Sequence, residues 1–487
     1  NRMPRKANES DNEYRSRVID PISDSFCAAK WLNATIWLGH GGTASCHHPP
    51  AHNIDKEEIK TNPSAIHNTR HKKKMRQMML EGTRPKECEY CWKIEDMEHD
   101  ADGGRPVSDR TFKTHIYSDK ELERIATMDP AEDVNLKTLE IAFDRTCQFA
   151  CSYCNPAFST TWVKDIRTKG GYSNIRSDAR GHFIDDAPYA DPFEKDEENP
   201  YVKAFWEWWP ELSLELDELR ITGGEPTMSA SVWGLFDWFK ENGESHPNAK
   251  NMRYAINSNL GAKDTLIAKL AEATQHVERF HLYTSGEAFG AQGEYIRDGL
   301  DFPQFSQNCV KMLREGKIEG FHMMMTINAL CLDSMVEFLD WVLELKREFG
   351  HNKPSFSVNI LRFPSFQSAL TLPDDLRTKY HDQLLAWHRK VQQKQELDGT
   401  GRALVQDWEA DQLSRLIEYL DVVKTPHRNT ADRWKLEHDF KVFYDQYDVR
   451  RGKDFRKTFP NLVEWYDSLE VRPLEVEEED IQKPKGE

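Results

Sequence analysis

The stretch "LKTLEIAFDRTCQFACSYC", residues 136–154, joins an apolar run to three closely spaced cysteines. The run "LKTLEIAF" (136–143) has the length and apolar content of a buried strand. Five further runs of the same kind follow: "LDELRIT" (216–222), "MRYAINS" (252–258), "RFHLYTS" (279–285), "GFHMMMTIN" (320–328) and "SFSVNILRF" (355–363). Helical patterns separate most of them, among them "SVWGLFDWFKENG" (231–243), "KDTLIAKLAEAT" (263–274) and "DSMVEFLDWVLELKREFG" (333–350). Strand–helix alternation predicts an α/β fold with a parallel sheet. Six such units suggest a partial (β/α)6 TIM-type barrel, with chemistry at the C-terminal ends of its strands. A doubly wound open sheet is the alternative, because pattern alone does not close a barrel.

Working outward, residues 1–20 are polar and expected to be flexible. Residues 21–115 are rich in Cys, His, Gly and Pro, as in a small domain organised by metal rather than by a large core. The barrel is expected over 130–366, with an insertion at 157–215. A helical region covers 367–470, and an acidic tail covers 471–487. The 487 residues carry a formal charge of −17, with 38% hydrophobic and 30% charged residues. That balance fits a globular chain with a sizeable core and argues against broad nucleic-acid or anionic-membrane binding. The basic run "RHKKKMR" (70–76) reads as a solvated helix face, with an anionic substrate or partner as the minor alternative. No run approaches a membrane span, and "NRMPRKANESDNEYRSR" lacks the apolar centre of a secretory signal. A cytoplasmic location is expected, where clustered cysteines point to metal or redox chemistry rather than structural disulfides. Seven of the nine cysteines precede residue 155.

Cys147, Cys151 and Cys154 follow the first predicted strand directly. Soft thiolates at close spacing select zinc, copper(I) or iron–sulfur clusters. A structural zinc site wants four closed ligands. Three thiolates on one loop instead fit a four-iron cluster whose fourth iron is left open. The bland readings are three packed thiols or part of a zinc knuckle. The spacing C-x3-C-x2-C, with Tyr153 before the last cysteine, resembles the radical S-adenosylmethionine (radical SAM) superfamily. "LRITGGEPTM" (219–228), at the end of the second predicted strand, strengthens the resemblance: Gly223, Gly224, Glu225 and Pro226 look like the motif that receives the S-adenosylmethionine amino group. The resemblance implies that the amine and carboxylate of S-adenosylmethionine chelate the open iron. One electron then cleaves its carbon–sulfur bond, and a 5′-deoxyadenosyl radical abstracts hydrogen from a substrate. It also offers Ser258 and Asn259 in "INSNLG", Ser285 in "YTSGEA" and Arg297 in "EYIRDG" as ribose or carboxylate contacts, against the plain readings of strand caps and a surface arginine.

Four more cysteines stand upstream: Cys27, Cys46, and Cys88 and Cys91 in "KECEYCW". Four thiols can close a zinc site or carry a second cluster. Their order, with Phe26, Trp31, Gly42, Arg76, Met79, Leu80, Gly82, Pro85, Trp92 and Glu95, is similar to the auxiliary-cluster region of the SPASM/twitch branch. That region usually follows the barrel, whereas here it precedes it. A second [4Fe-4S] cluster is expected, with zinc as the alternative. His47 and His48 read as polar loop residues, and Cys309 and Cys331 as core packing.

For substrate, the insertion supplies Trp162, Trp206, Trp208, Trp209, Tyr172, Tyr189 and Tyr201, either as a packed face or as a groove lining. Glu287, Asp144 and Glu294 are acid–base candidates with nothing to choose among them. The resemblance favours a peptide or protein residue as substrate and an electron donor of flavodoxin or ferredoxin type. Alternatives are dehydrogenation or epimerisation of a sugar-like alcohol, and a non-catalytic iron–sulfur or zinc scaffold or electron carrier.

Overall fold

The computed structural model describes residues 8–98, 105–184, 198–426 and 430–474. Its strands in chain order are β1 (Asn33–Trp37), β2 (Gly42–Ala44), β3 (His52–Asn53), β4 (Thr138–Ala142), β5 (Ala150–Cys151), β6 (Glu218–Thr222), β7 (Arg253–Asn257), β8 (Arg279–Ser285), β9 (Arg297–Asp298), β10 (Gly320–Ile327) and β11 (Ser355–Ile360). Two compact units interleave along the chain. The first holds Asn1–Arg145, Ala190–Ile256 and His276–Phe280; the second holds Thr146–Tyr189, Asn257–Gln275 and His281–Glu487. Tyr189 and residues 475–487 of the acidic tail lie outside the described residues.

In the first unit β1, β4, β6 and β7 run parallel in that order. Their registers align two apolar rows across the strands. One is Ala34, Leu139, Leu219 and Tyr254; the other is Ile36, Ile141, Ile221 and Ile256, and all eight are buried. Burial of each large member stabilises the sheet by about 1.5–3 kcal/mol. The helix Ala230–Asn242 makes the crossover from β6 to β7 and buries Val232, Leu235, Phe236 and Phe239, one stripe at helical spacing. Antiparallel β2 and β3 extend the sheet beyond β1.

Three features of this unit differ from the sequence expectations. The N-terminal region adds strands to the sheet, and it has a core of its own in which Phe26, Trp31, Leu32, Met79 and Ile125 are fully buried. Residues 11–19, expected as flexible, form helical turns started by a Ser10 capping box, and they plant Tyr14 and Ile19 in that core. The basic run does lie on a helix, Arg70–Leu80, but two of its cations face inward. Lys72 Nζ donates to Thr43 Oγ1 (2.8 Å), and Arg76 donates to the Lys30 carbonyl (2.8 Å) and Asn68 Oδ1 (3.0 Å). Buried donors with partners of this kind are tolerated; the hydropathy pattern cannot register them.

In the second unit β8, β10 and β11 run parallel. The helices Phe302–Glu315 and Met335–Phe349 make the crossovers. Cys309 and Cys331 are fully buried here. The later helices include Asp374–Lys394, Asp407–Leu420 and Thr430–Arg451. A buried pair locks one of them to the sheet: Lys346 Nζ donates to Glu409 Oε1 (2.8 Å), and the Phe356 amide of β11 donates to Glu409 Oε2 (2.7 Å). No helix among the described residues is long and apolar enough to cross a membrane.

Candidate functional site

The three-cysteine loop belongs to the second unit and is fixed by its backbone. Cys151 sits in β5, which pairs antiparallel with β9 so that Cys151 faces Arg297 in register. The Cys147 carbonyl accepts from Thr161 Oγ1 (2.7 Å), the Phe149 carbonyl from Ser159 Oγ (2.6 Å) and the Cys151 carbonyl from Trp162 Nε1 (2.9 Å). All three donors come from the start of the helix Thr160–Lys169, of which Ser159 is the N-cap. The loop thus has its carbonyls held by these donors, and Cys154 Sγ lies 3.7 Å from the Asn155 carbonyl oxygen. The Phe149 amide donates to Cys147 Sγ (3.4 Å). Burial pushes the Cys151 thiol up to about 12 and raises Cys154 further, so a metal binding here must displace protons.

Arg297 and Glu287 come together with Tyr153 of this loop. Arg297 Nη1 donates to Tyr153 Oη (2.5 Å) and stands 3.9 Å from Glu287 Oε2. Glu287 is 1% exposed, and neither of its carboxylate oxygens accepts a hydrogen bond. Burial raises its pKa, with Arg297 and Tyr153 opposing. A buried carboxylate in that condition is costly unless a donor reaches it. Sequence left Glu287 among three equal candidates. Burial singles it out, while Glu294 is occupied in accepting from the Phe302 amide (2.8 Å).

Ser258 and Asn259 follow β7 and belong to the second unit. Ser258 Oγ accepts from the Leu260 amide (3.1 Å), as a strand-end cap does. Asn259 meets the cysteine loop: its Oδ1 accepts from Gln148 Nε2 (3.2 Å), and its Nδ2 lies 3.9 Å from Cys147 Sγ. Ser285 is the last residue of β8 and is half-buried.

The Gly-Gly-Glu-Pro turn belongs to the first unit, at the end of β6. Gly223 has φ +105°, and a Cβ there would stand 2.7 Å from the Asp144 carbonyl oxygen and 3.0 Å from Ala142 Cβ. Only glycine fits that position. Glu225 is buried and caps the short turn Pro226–Met228, its Oε2 accepting from the Thr227 amide (3.1 Å) and hydroxyl (2.5 Å).

Cys27, Cys46, Cys88 and Cys91, also in the first unit, line one pocket, although 64 residues separate the first from the last. Cys27 leads into the helix Ala29–Leu32, Cys46 follows β2, and Cys88 and Cys91 open the helix Glu89–Glu95. Polar pairs stand behind the thiols. Arg110 grips Glu95 with Nε and Nη2 (2.8 Å each) and reaches the Phe26 carbonyl (3.0 Å); Trp92 Nε1 donates to the Pro85 carbonyl (2.7 Å). Burial pushes Cys27 up to about 12 and Cys88 up to about 11. Among the described residues, the ligand atoms of His47, His48 and Asp109 lie within 4.8 Å of one another; the four sulfurs form no such tight group. His48 Nε2 is already 2.5 Å from Asp109 Oδ2, and its ring stacks on Tyr90.

The aromatics of the insertion pack inward. Trp162, Tyr172, Tyr201, Trp208 and Trp209 are buried and Trp206 is half-buried, which is the packed-face reading.

No family model matches the chain, and no curated protein matches it in sequence. Solved structures do resemble it in part. "Native anSMEcpe with bound AdoMet" is 14% identical at TM-score 0.34, covering 68% of this chain and 99% of its own. The same protein with AdoMet and Cp18Cys peptide gives 13% and 0.34, covering 68% and 100%. "TYW1 with a lysine-pyruvate adduct bound" gives 14% and 0.24, covering 51% and 72%. At such identities and superpositions they assign neither an activity nor a substrate to this chain.

Proposed function

We propose that the chain is a radical S-adenosylmethionine enzyme, with its βα units arranged as a partial barrel. The observation that carries this reading is the three-thiol loop beside Arg297 and the buried, unsatisfied carboxylate of Glu287. Cys147, Cys151 and Cys154 would hold a [4Fe-4S] cluster by three irons, the donor set being all soft thiolate. When bound, the cluster and S-adenosylmethionine supply one-electron chemistry and a carbon radical able to remove hydrogen from an unactivated position.

The chain's own residues bind and orient. Arg297 offers its guanidinium to a carboxylate, and Tyr153 holds that guanidinium from behind. Glu287, 3.9 Å from Arg297, accepts from a ligand donor that reaches it. Gly223 lets the turn close against the end of β4, and Glu225 presents a carboxylate at the same turn for an ammonium group. Burial around the trio keeps water from competing for these groups.

The four-thiol pocket would hold an auxiliary cluster. Tetrahedral zinc, with Zn–S bonds of about 2.3 Å, is the alternative occupant of the same four thiolates. The substrate in this reading is a peptide or protein residue, and the electron donor a flavodoxin or ferredoxin. Exposed Phe158 and Phe363 give the second unit apolar surface for contact with a polypeptide.

Iron and sulfide counting after anaerobic reconstitution tests the two sites. About eight irons should fall to about four in a Cys147/Cys151/Cys154→Ala variant and likewise in a Cys88/Cys91→Ala variant. Tightly held zinc in place of iron in the first variant would contradict the auxiliary cluster; unchanged iron in it would contradict the cofactor site.

A further inference from the structure

We propose that Lys30 raises the reduction potential of the group held by Cys27, Cys46, Cys88 and Cys91, an inference that rests on reading this pocket as an iron–sulfur site. Lys30 follows Cys27 by three residues on the helix Ala29–Leu32, and its side chain lines the same pocket as the four thiols. It is 2% exposed, so its charge acts through protein rather than water and is weakly screened.

The pocket lining is one-sided in charge. Lys30, Arg110 and Lys113 line it together with His48, and no Asp or Glu does. Four thiolates around a cluster are anionic, so this lining answers the charge of the group it would enclose. Arg110 has its Nε and Nη2 on Glu95 and its Nη1 on the Phe26 carbonyl, so all three nitrogens are engaged elsewhere, and Lys113 is half-exposed. Lys30 is different. Its Nζ donates to Glu87 Oε1 (2.5 Å), but Glu87 Oε2 also accepts from His71 Nε2 (2.7 Å), so its one carboxylate is shared between two donors. Glu87 holds the ammonium in place against the pocket without lining the pocket itself.

Cluster potentials respond to net charge, hydrogen bonds to sulfur and solvent exposure. A buried cation beside the sulfurs stabilises the reduced, more negative form.

The test uses the full chain carrying Cys147/Cys151/Cys154→Ala, so that any remaining cluster is the auxiliary one, titrated by EPR at controlled potentials. At a fixed potential, Lys30→Met should lower the ratio of reduced to oxidised cluster about tenfold, a shift of ~59 mV for one electron. Lys30→Met/Glu87→Gln, which removes both charges and leaves no buried carboxylate behind, should also lie below its parent, and Lys30→Arg should stay close to it. An unchanged ratio in an iron-loaded Lys30→Met protein would overturn the proposal. So would neutral variants that hold no iron while Lys30→Arg does, because Lys30 would then be needed for assembly rather than for potential. A parent holding no iron at all fails at the earlier step, the reading of the pocket as a cluster site.

Discussion

Gly223→Ala is the substitution whose cost the structure specifies most closely. The glycine's φ of +105° lies where an L-residue is strained, and such strain costs about 1–3 kcal/mol. The new Cβ would stand 2.7 Å from a backbone carbonyl and 3.0 Å from Ala142 Cβ, which cannot move aside as a flexible side chain could. Overpacking of that kind costs a further ~1–3 kcal/mol. The sum, about 2–6 kcal/mol, should appear either as lost stability in urea denaturation or as a reshaped turn. Gly399 is the control, because nothing lies within 4 Å of its would-be Cβ and its φ is not in the strained range. Gly399→Ala should change stability by less than about 0.5 kcal/mol. S-adenosylmethionine binding, measured by equilibrium dialysis on the iron-loaded protein, should weaken in Gly223→Ala and not in Gly399→Ala. If Gly223→Ala matched wild type in both stability and binding, the close-approach argument for this turn would be wrong.

Other consequences follow from the same kind of reasoning. Lys346→Met leaves the Glu409 carboxylate buried without its cation and should destabilise the chain by about 3–5 kcal/mol; Lys346→Met/Glu409→Gln should recover most of that in thermal unfolding. His67 is fully buried beside Lys72 and Arg76, and burial first, then those cations, hold its pKa well below 6.5. The unfolded chain therefore binds a proton at His67 in mild acid that the folded chain refuses. Stability should fall as pH drops below about 6.5, by up to about 1.4 kcal/mol per pH unit from this residue, and His67→Gln should flatten that slope. Arg297→Met should weaken S-adenosylmethionine binding about tenfold or more while leaving the iron content unchanged, the cost of one charge-assisted pair.

Much of this architecture could be read from local pattern. The six predicted strands form because each is a short apolar run with a face that a sheet can bury, as the aligned rows through Ile141 and Ile256 illustrate. The three-cysteine loop stood out because its spacing is a local property, whereas the gathering of Cys27, Cys46, Cys88 and Cys91 in one pocket joins residues far apart in the sequence. What stayed hidden depends on contacts between distant residues. β1, "NATIW", is too short and mixed to announce itself, and only its register with β4 makes it a strand. Lys72 and Arg76 look like solvent-facing charges until Thr43, Asn68 and the Lys30 carbonyl supply their partners. Glu287 was one acid among several, since nothing in "YTSGEAF" indicates that its carboxylate is sealed in beside Arg297.

The most direct test of the central claim is product analysis on the anaerobically reconstituted protein, given dithionite and S-adenosylmethionine. The account predicts 5′-deoxyadenosine, lost in Cys147/Cys151/Cys154→Ala and retained in Cys88/Cys91→Ala at a lower or equal rate. A cluster-loaded wild-type protein that binds S-adenosylmethionine and forms no 5′-deoxyadenosine under any of several reductants would contradict it, leaving an iron–sulfur scaffold or electron carrier in its place.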